Sequence, residues 1–405
     1  MSEEKAIQFD ELIFERIIDI GCEMLKAGGE IQRVEQTISL LCSSYGAKTA
    51  DVFTITSSIV VTVRFENRPS MTQTRRIISQ QSDMKRLEYL NGLSRKICSH
   101  LMTNEEIRSE LKRFDEKGIN KFLMPFVWAV VSACFTIFFG GSTADAVCSL
   151  LIGAMLYSCK YLILKHIKDK YCSILICSAL GGISATLFSM MIDSVRPFYI
   201  NIGNIMLLIP GVALTTAIKD MFIGDTISGL LRFFEALLTS LVIAWGFALF
   251  DKSKIIINDE HFFLVEIIAA FIGSFGFSII FNCRSKIGII SSFGAMLGWG
   301  IICAAKSFGI SEYLAFFLAA VFIKFFAEAM ARRVCCPATP FLLVGIIPLV
   351  PGKALYTTMR YALNDSGDKF IDNGIMTVMF AALISAGIIT VFIFYNNFIA
   401  QKTDQ

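Results

Sequence analysis

Charge is scarce in this sequence. Asp, Glu, Lys and Arg make up 18% of its 405 residues and leave a net charge of +3, without the dense basic face and interleaved aromatics that nucleic-acid binding requires. Histidine is rarer still, at three residues. His100 reads as a surface residue and His166 and His261 as membrane-edge residues, and the apolar runs hold no Ser-His pair, HExxH or paired-aspartate motif to support a membrane-embedded enzyme. No P-loop is present, so ATP-driven chemistry has no support. CxxC is missing too, and the 12 cysteines follow no metal spacing. Cys134, Cys148, Cys159, Cys172, Cys177 and Cys303 lie in apolar runs, Cys335 and Cys336 are adjacent, and all read as reduced, small hydrophobes. No cofactor or metal is expected. The opening MSEEKAIQFDELIFERIID lacks the basic-then-apolar order of a signal peptide, so the first segment is expected in the cytosol.

What abounds is apolar sequence. Hydrophobic residues reach 55% and mean hydropathy is +0.62, the composition of a polytopic membrane protein. Up to Lys121 the chain looks soluble, with the join placed near Gly118. Ile13, Ile17, Ile20 and Met24, then Ile31, Val34, Ile38, Leu41 and Tyr45, recur at helical steps on either side of Ala27-Gly28-Gly29. SSIVVTVRF alternates Ile59, Val61, Val63 and Phe65 against Val60, Thr62 and Arg64, and DVFTIT before it offers a partner strand. Ser82 to Glu116 returns to charged helical composition. The expected organisation is a cytosolic α+β domain, 1–118, then two five-helix membrane repeats, 119–255 and 256–405.

Ten apolar segments of spanning length are expected near 122–140, 144–164, 171–191, 199–218, 227–250, 261–281, 286–308, 311–331, 338–358 and 372–397, each suited to a hydrocarbon core of about 30 Å. The second-to-third connection carries Lys160, Lys165, Lys168 and Lys170, the sixth-to-seventh Arg284 and Lys286, and the eighth-to-ninth Arg332 and Arg333. GGSTAD, the first-to-second connection, has no positive charge. This bias places both termini in the cytosol, with Lys252 and Lys254 as exceptions.

Two of these segments are interrupted. LLIPGVALTTAIKD places Pro210-Gly211 inside the fourth, and IIPLVPGKALYTTMR places Pro351-Gly352 inside the ninth, 141 residues later. Both residues are poor interior helix formers. Under that offset Ala213 faces Ala354, Leu214 faces Leu355, Thr216 faces Thr357 and Lys219 faces Arg360. Five crossings separate the breaks, so the halves are expected to be inverted. Lipid cannot satisfy an opened backbone, at several kcal/mol per group, so paired breaks mark a protein-lined or watery cavity, as in transporters built from inverted repeats. Amides beyond each Pro-Gly suit a carboxylate. Thr215, Thr216, Tyr356 and Thr357 could serve a second polar group. The competing reading is that each Pro-Gly only kinks a helix for packing.

At these residues the sequence resembles the threonine/serine exporter family of bacterial and fungal membrane proteins. LLIPGVALTTAIKDMFIGDTISGLLR is similar to the family's first-component signature, with its acidic turn from Asp220 to Asp225. IIPLVPGKALYTTM is similar to the second-component signature through Pro348, Pro351, Gly352, Tyr356 and Met359. Phe281-Asn282, the RR of ARRVCCPATP, and Gly28, Arg33, Val34 and Glu35 of AGGEIQRVEQT match as well. The resemblance implies a single-chain fusion of components that some bacteria make separately, exporting threonine and serine or, in a two-subunit branch, succinate. Lys353 departs from the small or apolar residue usual there, and a cation leaves the dicarboxylate reading open.

Ionisable groups in the spans are functional candidates because they are costly there. Lys324 and Glu328, four apart, and Arg232 and Glu235, three apart, are expected to pair along their helices. Glu266 has no local partner and reads as a burial-tuned carboxylate or an interfacial one. For proton coupling Glu235, Glu328 and Glu266 are the candidates. Lys219, Asp220 and Asp225 read as a gate or as a solvated turn. The readings that remain are a secondary exporter, with a small-molecule substrate and the lipid bilayer as partners, and a sensor using the soluble domain, where Glu30, Arg33 and Glu35 have no assigned role. Nothing in the pattern opposes a homo-oligomer.

Overall fold

The computed structural model describes residues 9–66, 68–78, 81–114, 121–164, 167, 169–208, 210–248, 263–363 and 367–403. Gly118, Lys165, His166, Lys168, Lys252, Lys254, His261 and the 255/256 boundary lie outside them. Two compact units emerge, Met1–Gly118 with Phe281–Arg284, and Ile119–Ile280 with Ser285–Gln405.

In the first unit α1 (Glu11–Lys26) and α2 (Ile31–Ser44) precede β1 (Thr49–Ile55), β2 (Ser58–Arg64) and β3 (Met71–Arg76), followed by α3 (Met84–Ser99) and α4 (Asn104–Arg113). The antiparallel sheet has the order β1-β2-β3, and β3 is a strand the alternation pattern did not reveal. Its MTQTRR is polar after Met71 and alternates half-buried with exposed residues, so it carries no period-two apolar signal. The helical periodicity holds, since Ile13, Ile17, Ile20, Met24, Val34, Ile38 and Leu41 are all buried, as are Ile59, Val61 and Val63 from β2. Gly28 takes φ +89° at the α1–α2 turn, a left-handed backbone that glycine adopts without strain. Glu35 has a structural role, accepting the Thr54 N–H at 2.8 Å and so tying α2 to β1. The matched pair Phe281-Asn282 also caps: the Met84 N–H donates to the Phe281 carbonyl and the Lys85 N–H to that of Asn282. Those are amides of the first turn of α3, which have no partner within their own helix.

The second unit is a helical membrane body. Its first half holds α5 (Met124–Phe138), α6 (Thr143–Leu164), α7 (Lys170–Met191), α8 (Pro197–Ile205), α9 (Gly211–Ile223) and α10 (Thr226–Ala248). Its second holds α11 (Phe263–Ile280), α12 (Ser285–Ser307), α13 (Glu312–Val334), α14 (Thr339–Gly345), a 3-10 turn (Ile347–Leu349), α15 (Gly352–Leu363) and α16 (Gly367–Thr403). Among the described residues seven helices are long and apolar enough to span a membrane. The fourth and ninth expected segments are each two helices around a break, and α5 is shorter, at 15 residues.

The packing of the first half recurs in the second. α5 lies on α6 and α8, α6 and α7 on α8, α7 on α10, and α9 on α10. Likewise α11 lies on α12 and α14, α12 and α13 on α14, α13 on α16, and α15 on α16. The halves meet through α5 against α11 and through an exchange, α15 against α10 and α9 against α16. Close approach in the two matching pairs uses matching glycines. A Cβ on Gly246 of α10 would lie 2.4 Å from Ser178 Cβ of α7, and one on Gly387 of α16 would lie 2.9 Å from Ala320 Cβ of α13.

Burial also raises the thiols of the first unit, Cys42 to about 12 and Cys22 to about 11, which leaves them inert at neutral pH. All twelve cysteines are free.

Candidate functional site at two broken helices

Each broken segment opens with a Pro-Phe pair, Pro197-Phe198 in α8 and Pro340-Phe341 in α14, where proline at the first helical positions forfeits no intrahelical bond. Each then ends in a tightened turn. Leu207 and Leu208 donate to the carbonyls of Asn204 and Ile205, and Leu349 donates to that of Ile346. Pro210 and Pro351 follow, and α9 and α15 restart at Gly211 and Gly352. Proline offers neither an N–H nor a side-chain acceptor, so α9 starts at Pro210 with no side-chain cap. In the second half the two pieces meet at a 52° bend.

The structure brings the restarted helices together. Leu214 and Ile218 of α9 pack with Leu355 and Met359 of α15, Ala236 of α10 and Ala381 of α16. Leu214 and Leu355 are positions matched by the 141-residue offset. Ser385 of α16, which sequence reasoning missed, donates its hydroxyl to the Thr215 carbonyl at 3.0 Å. Tyr356 is buried against Phe198 and Tyr199 of α8 and Ile243, Ala244 and Phe247 of α10. Thr215 and Thr357 are buried and Lys353 and Thr216 half-buried. Two of the expected hydroxyls bond within their own helices, Thr216 to the Val212 carbonyl at 3.0 Å and Thr357 to the Lys353 carbonyl at 2.8 Å. They accept hydrogen bonds in that state and donate none outward.

The ionisable residues are distributed differently from expectation. Arg232 does not pair with Glu235. It reaches Asp220 at 2.8 Å, because α9 and α10 are antiparallel neighbours and Arg232 faces α9. Glu235, one step round the helix, pairs with Lys170 at the start of α7 and is half exposed. Nor do Lys219 and Asp220 form a solvated turn. They are 6% and 4% exposed, 3.6 Å apart, buried because α9 continues to Ile223. Asp225, beyond that end, is half-buried, and burial raises its carboxyl above the usual range. Lys324 and Glu328 do pair along α13, at 2.6 Å. Glu266 is buried rather than exposed, and Trp299 of α12 donates its indole N–H to it at 3.0 Å. Glu235, Glu266 and Glu328 thus lie on three different helices, α10, α11 and α13, and none belongs to the α9–α15 cluster.

Two buried polar groupings escaped the sequence reading. Asp145 is fully buried, accepts the Arg196 backbone N–H at 2.7 Å and lies 3.4 Å from its guanidinium. Ser142 and Asp145 cap each other reciprocally, so the S-x-x-D spacing in GGSTAD was the available signal. Ser132, Ser149, Thr136 and Asn204 share hydrogen bonds of 2.6–3.0 Å between α5, α6 and α8. No motif announces that set.

The profile of a family described as "Putative threonine/serine exporter" matches residues 15–250, and one described as "Threonine/Serine exporter" matches residues 266–394. The chain belongs to the threonine/serine exporter family. It is 24% identical over 232 residues to a threonine/serine exporter of Corynebacterium glutamicum, covering 52% of this chain and 47% of that protein. It thus spans about half of that relative's length. It is also 23% identical over 230 residues to a protein of Escherichia coli (strain K12) described as a probable succinate transporter subunit, YjjP, covering 56% of this chain and 90% of the relative. No solved structure matches. Membership accounts for the two matched halves: one profile ends at residue 250, two positions past the last residue of α10, and the other begins within α11.

Proposed function

We propose that this exporter-family protein is a secondary-active exporter of small polar carboxylates, threonine and serine first, held between the broken helices and driven by the proton gradient. The observation that carries the reading is the meeting of α9 and α15, each restarted by Pro-Gly, in one cluster with the exchanged helices α10 and α16. Two half-helix N-termini then bring their positive dipole ends to the seam between repeats, where a carboxylate is stabilised by both. Pro210, Gly211, Thr215 and Thr216 line it from one half, and Pro351, Gly352, Lys353, Tyr356 and Thr357 from the other. Lys219, Asp220 and Asp225 form the gate at the far end of α9. With five crossings in each half, the repeats are inverted, the membrane is the bacterial cytoplasmic one and both termini are cytosolic.

A succinate reading is favoured by the 90% coverage of the YjjP relative and by Lys353, whose cation would suit a second carboxylate. A side-by-side efflux assay of the reconstituted chain with labelled threonine, serine and succinate separates the two. Gly211→Leu and Gly352→Leu place a side chain where the backbones restart and should abolish flux at unchanged membrane abundance. Undiminished flux in either variant would remove the proposed site.

A further inference from the structure

Two loops of four residues occupy matching places in the repeats. Residues 139–142 join α5 to α6, and residues 281–284 join α11 to α12, 142 positions later. Each turns through a left-handed residue at its second position, Gly140 at φ +97° and Asn282 at φ +53°, a region that asparagine is one of the few side chains to tolerate. What the two loops are fastened to differs.

The first loop is fastened inside its own half. Ser142 donates its N–H and its hydroxyl to Asp145, each at 2.8 Å. The fully buried Asp145 also accepts the N–H of Arg196, the residue before α8. Pulling such a carboxylate from its donors would strand a charge in the interior, so this fastening is permanent. The second half lacks the same pair at the corresponding places. Lys286 and Ile287 lie 141 and 142 positions beyond Asp145, and Pro337 and Ala338 lie at those distances beyond Arg196.

The second loop belongs instead to the unit of the cytosolic domain. The Met84 and Lys85 amides of α3 donate to the Phe281 and Asn282 carbonyls at 3.0 and 3.2 Å, and the Asn282 side-chain amide donates to Asp83, the N-cap of α3, at 2.9 Å. The positive end of α3 thus receives the loop's carbonyls. One turn on, the Arg284 guanidinium lies 3.0 Å from Glu88. Water reaches this contact, since the Arg284 side chain is 59% exposed. An ion pair open to solvent is weak and screened by salt, so this fastening can be released.

We propose that the cytosolic domain is a releasable clamp on the second repeat, with the first turns of α3 as its docking surface and residues 281–284 as the element it grips. Docked, it holds the end of the α11–α12 hairpin in the transporting geometry; undocked, it stops turnover. The permanence of the Asp145 fastening identifies the held state as the working one. The inference gives the domain a regulatory role beyond the exporter reading, and rests on that reading for the flux that reports it.

The test uses the full chain in proteoliposomes with whichever of labelled threonine, serine or succinate the wild type carries. Arg284→Glu and Glu88→Arg each place like charges at the contact, and the double variant restores an opposite pair. The expected result is a kcat lowered about threefold or more in each single variant, with KM within about twofold, and recovery in the double. Hydrogen exchange at the Met84 and Lys85 amides should quicken about tenfold in the single variants and return in the double. Quickened exchange with unchanged kcat marks a merely structural contact and overturns the proposal. So does unchanged exchange in both single variants, or a loss of kcat that the double variant does not reverse. Absence of all three fluxes in the wild type would instead overturn the exporter reading, and the control of turnover with it.

Discussion

Gly246 and Gly387, 141 residues apart, make the same contact in the two halves of the membrane body. Gly246 of α10 lies against Ser178 and the Leu175 carbonyl of α7, and Gly387 of α16 against Ala320 and the Phe317 carbonyl of α13. Backbone-to-backbone approach of this kind is how helices associate in lipid, where burial of apolar surface gives little drive. An added methyl at either site must displace backbone, whereas one at Gly300 meets nothing within 4 Å. Gly246→Ala and Gly387→Ala should each lower stability by about 1–3 kcal/mol. Gly300→Ala should be neutral or gain up to about 1 kcal/mol from helix propensity. Unfolding of the purified protein in detergent measures all three, and equal behaviour of the three variants would refute the matched packing.

Asp220 is the shared anion of Lys219 and Arg232, and burial makes it indispensable. Removing one member of a buried ionic set strands the others, at about 3–5 kcal/mol. Asp220→Ala should therefore unfold at markedly lower temperature than the wild type. Glu235→Gln breaks only a half-exposed pair with Lys170 and should cost about 1 kcal/mol or less. Thermal unfolding of the two variants side by side decides the point, and comparable losses would show that Asp220 is as dispensable as Glu235.

The contrast between these pairs explains what the sequence could disclose. Periodic burial was legible in Ile13, Ile17 and Ile20, because a helix repeats its environment every 3.6 residues. The breaks were legible as well, since Pro210 and Pro351 cannot continue a helix without losing a bond. Pairing within one helix, Lys324 with Glu328, followed from spacing alone. Pairing between helices did not: Arg232 had two carboxylates within reach of its stem, and only the turn between α9 and α10 selects Asp220 over Glu235. Asp145 and Arg196 are 51 residues apart, with no local signal joining them. The hydroxyls of Thr216 and Thr357 were ambiguous for a different reason, since a helix always offers each of them a carbonyl one turn back.

Glu266 is a carboxylate buried among α11 and α12, with Trp299 as a neutral donor. If it carries the coupling proton, Glu266→Gln should keep the fold and binding but uncouple flux from the pH gradient. Efflux from proteoliposomes, with and without an imposed gradient, should differ in the wild type and coincide in the variant. A variant that responds to the gradient as the wild type does would move the coupling role to Glu328 or Glu235.

Orientation can be tested with the protein's own thiols. Cys98, Cys172 and Cys335 are exposed. Cys335 ends α13 in a left-handed conformation, φ +56°, just beyond Arg332 and Arg333. The positive-inside bias assigns all three to the cytosol, and the exposed Thr143, in the GGSTAD connection that has no Lys or Arg, to the opposite side. A membrane-impermeant maleimide should leave the native chain unlabelled in intact cells and label it once the cells are permeabilised. Thr143→Cys should become labelled in intact cells. Labelling of Cys335 from outside would reverse the topology, and with it the direction in which α9 and α15 present their restarted ends to the substrate.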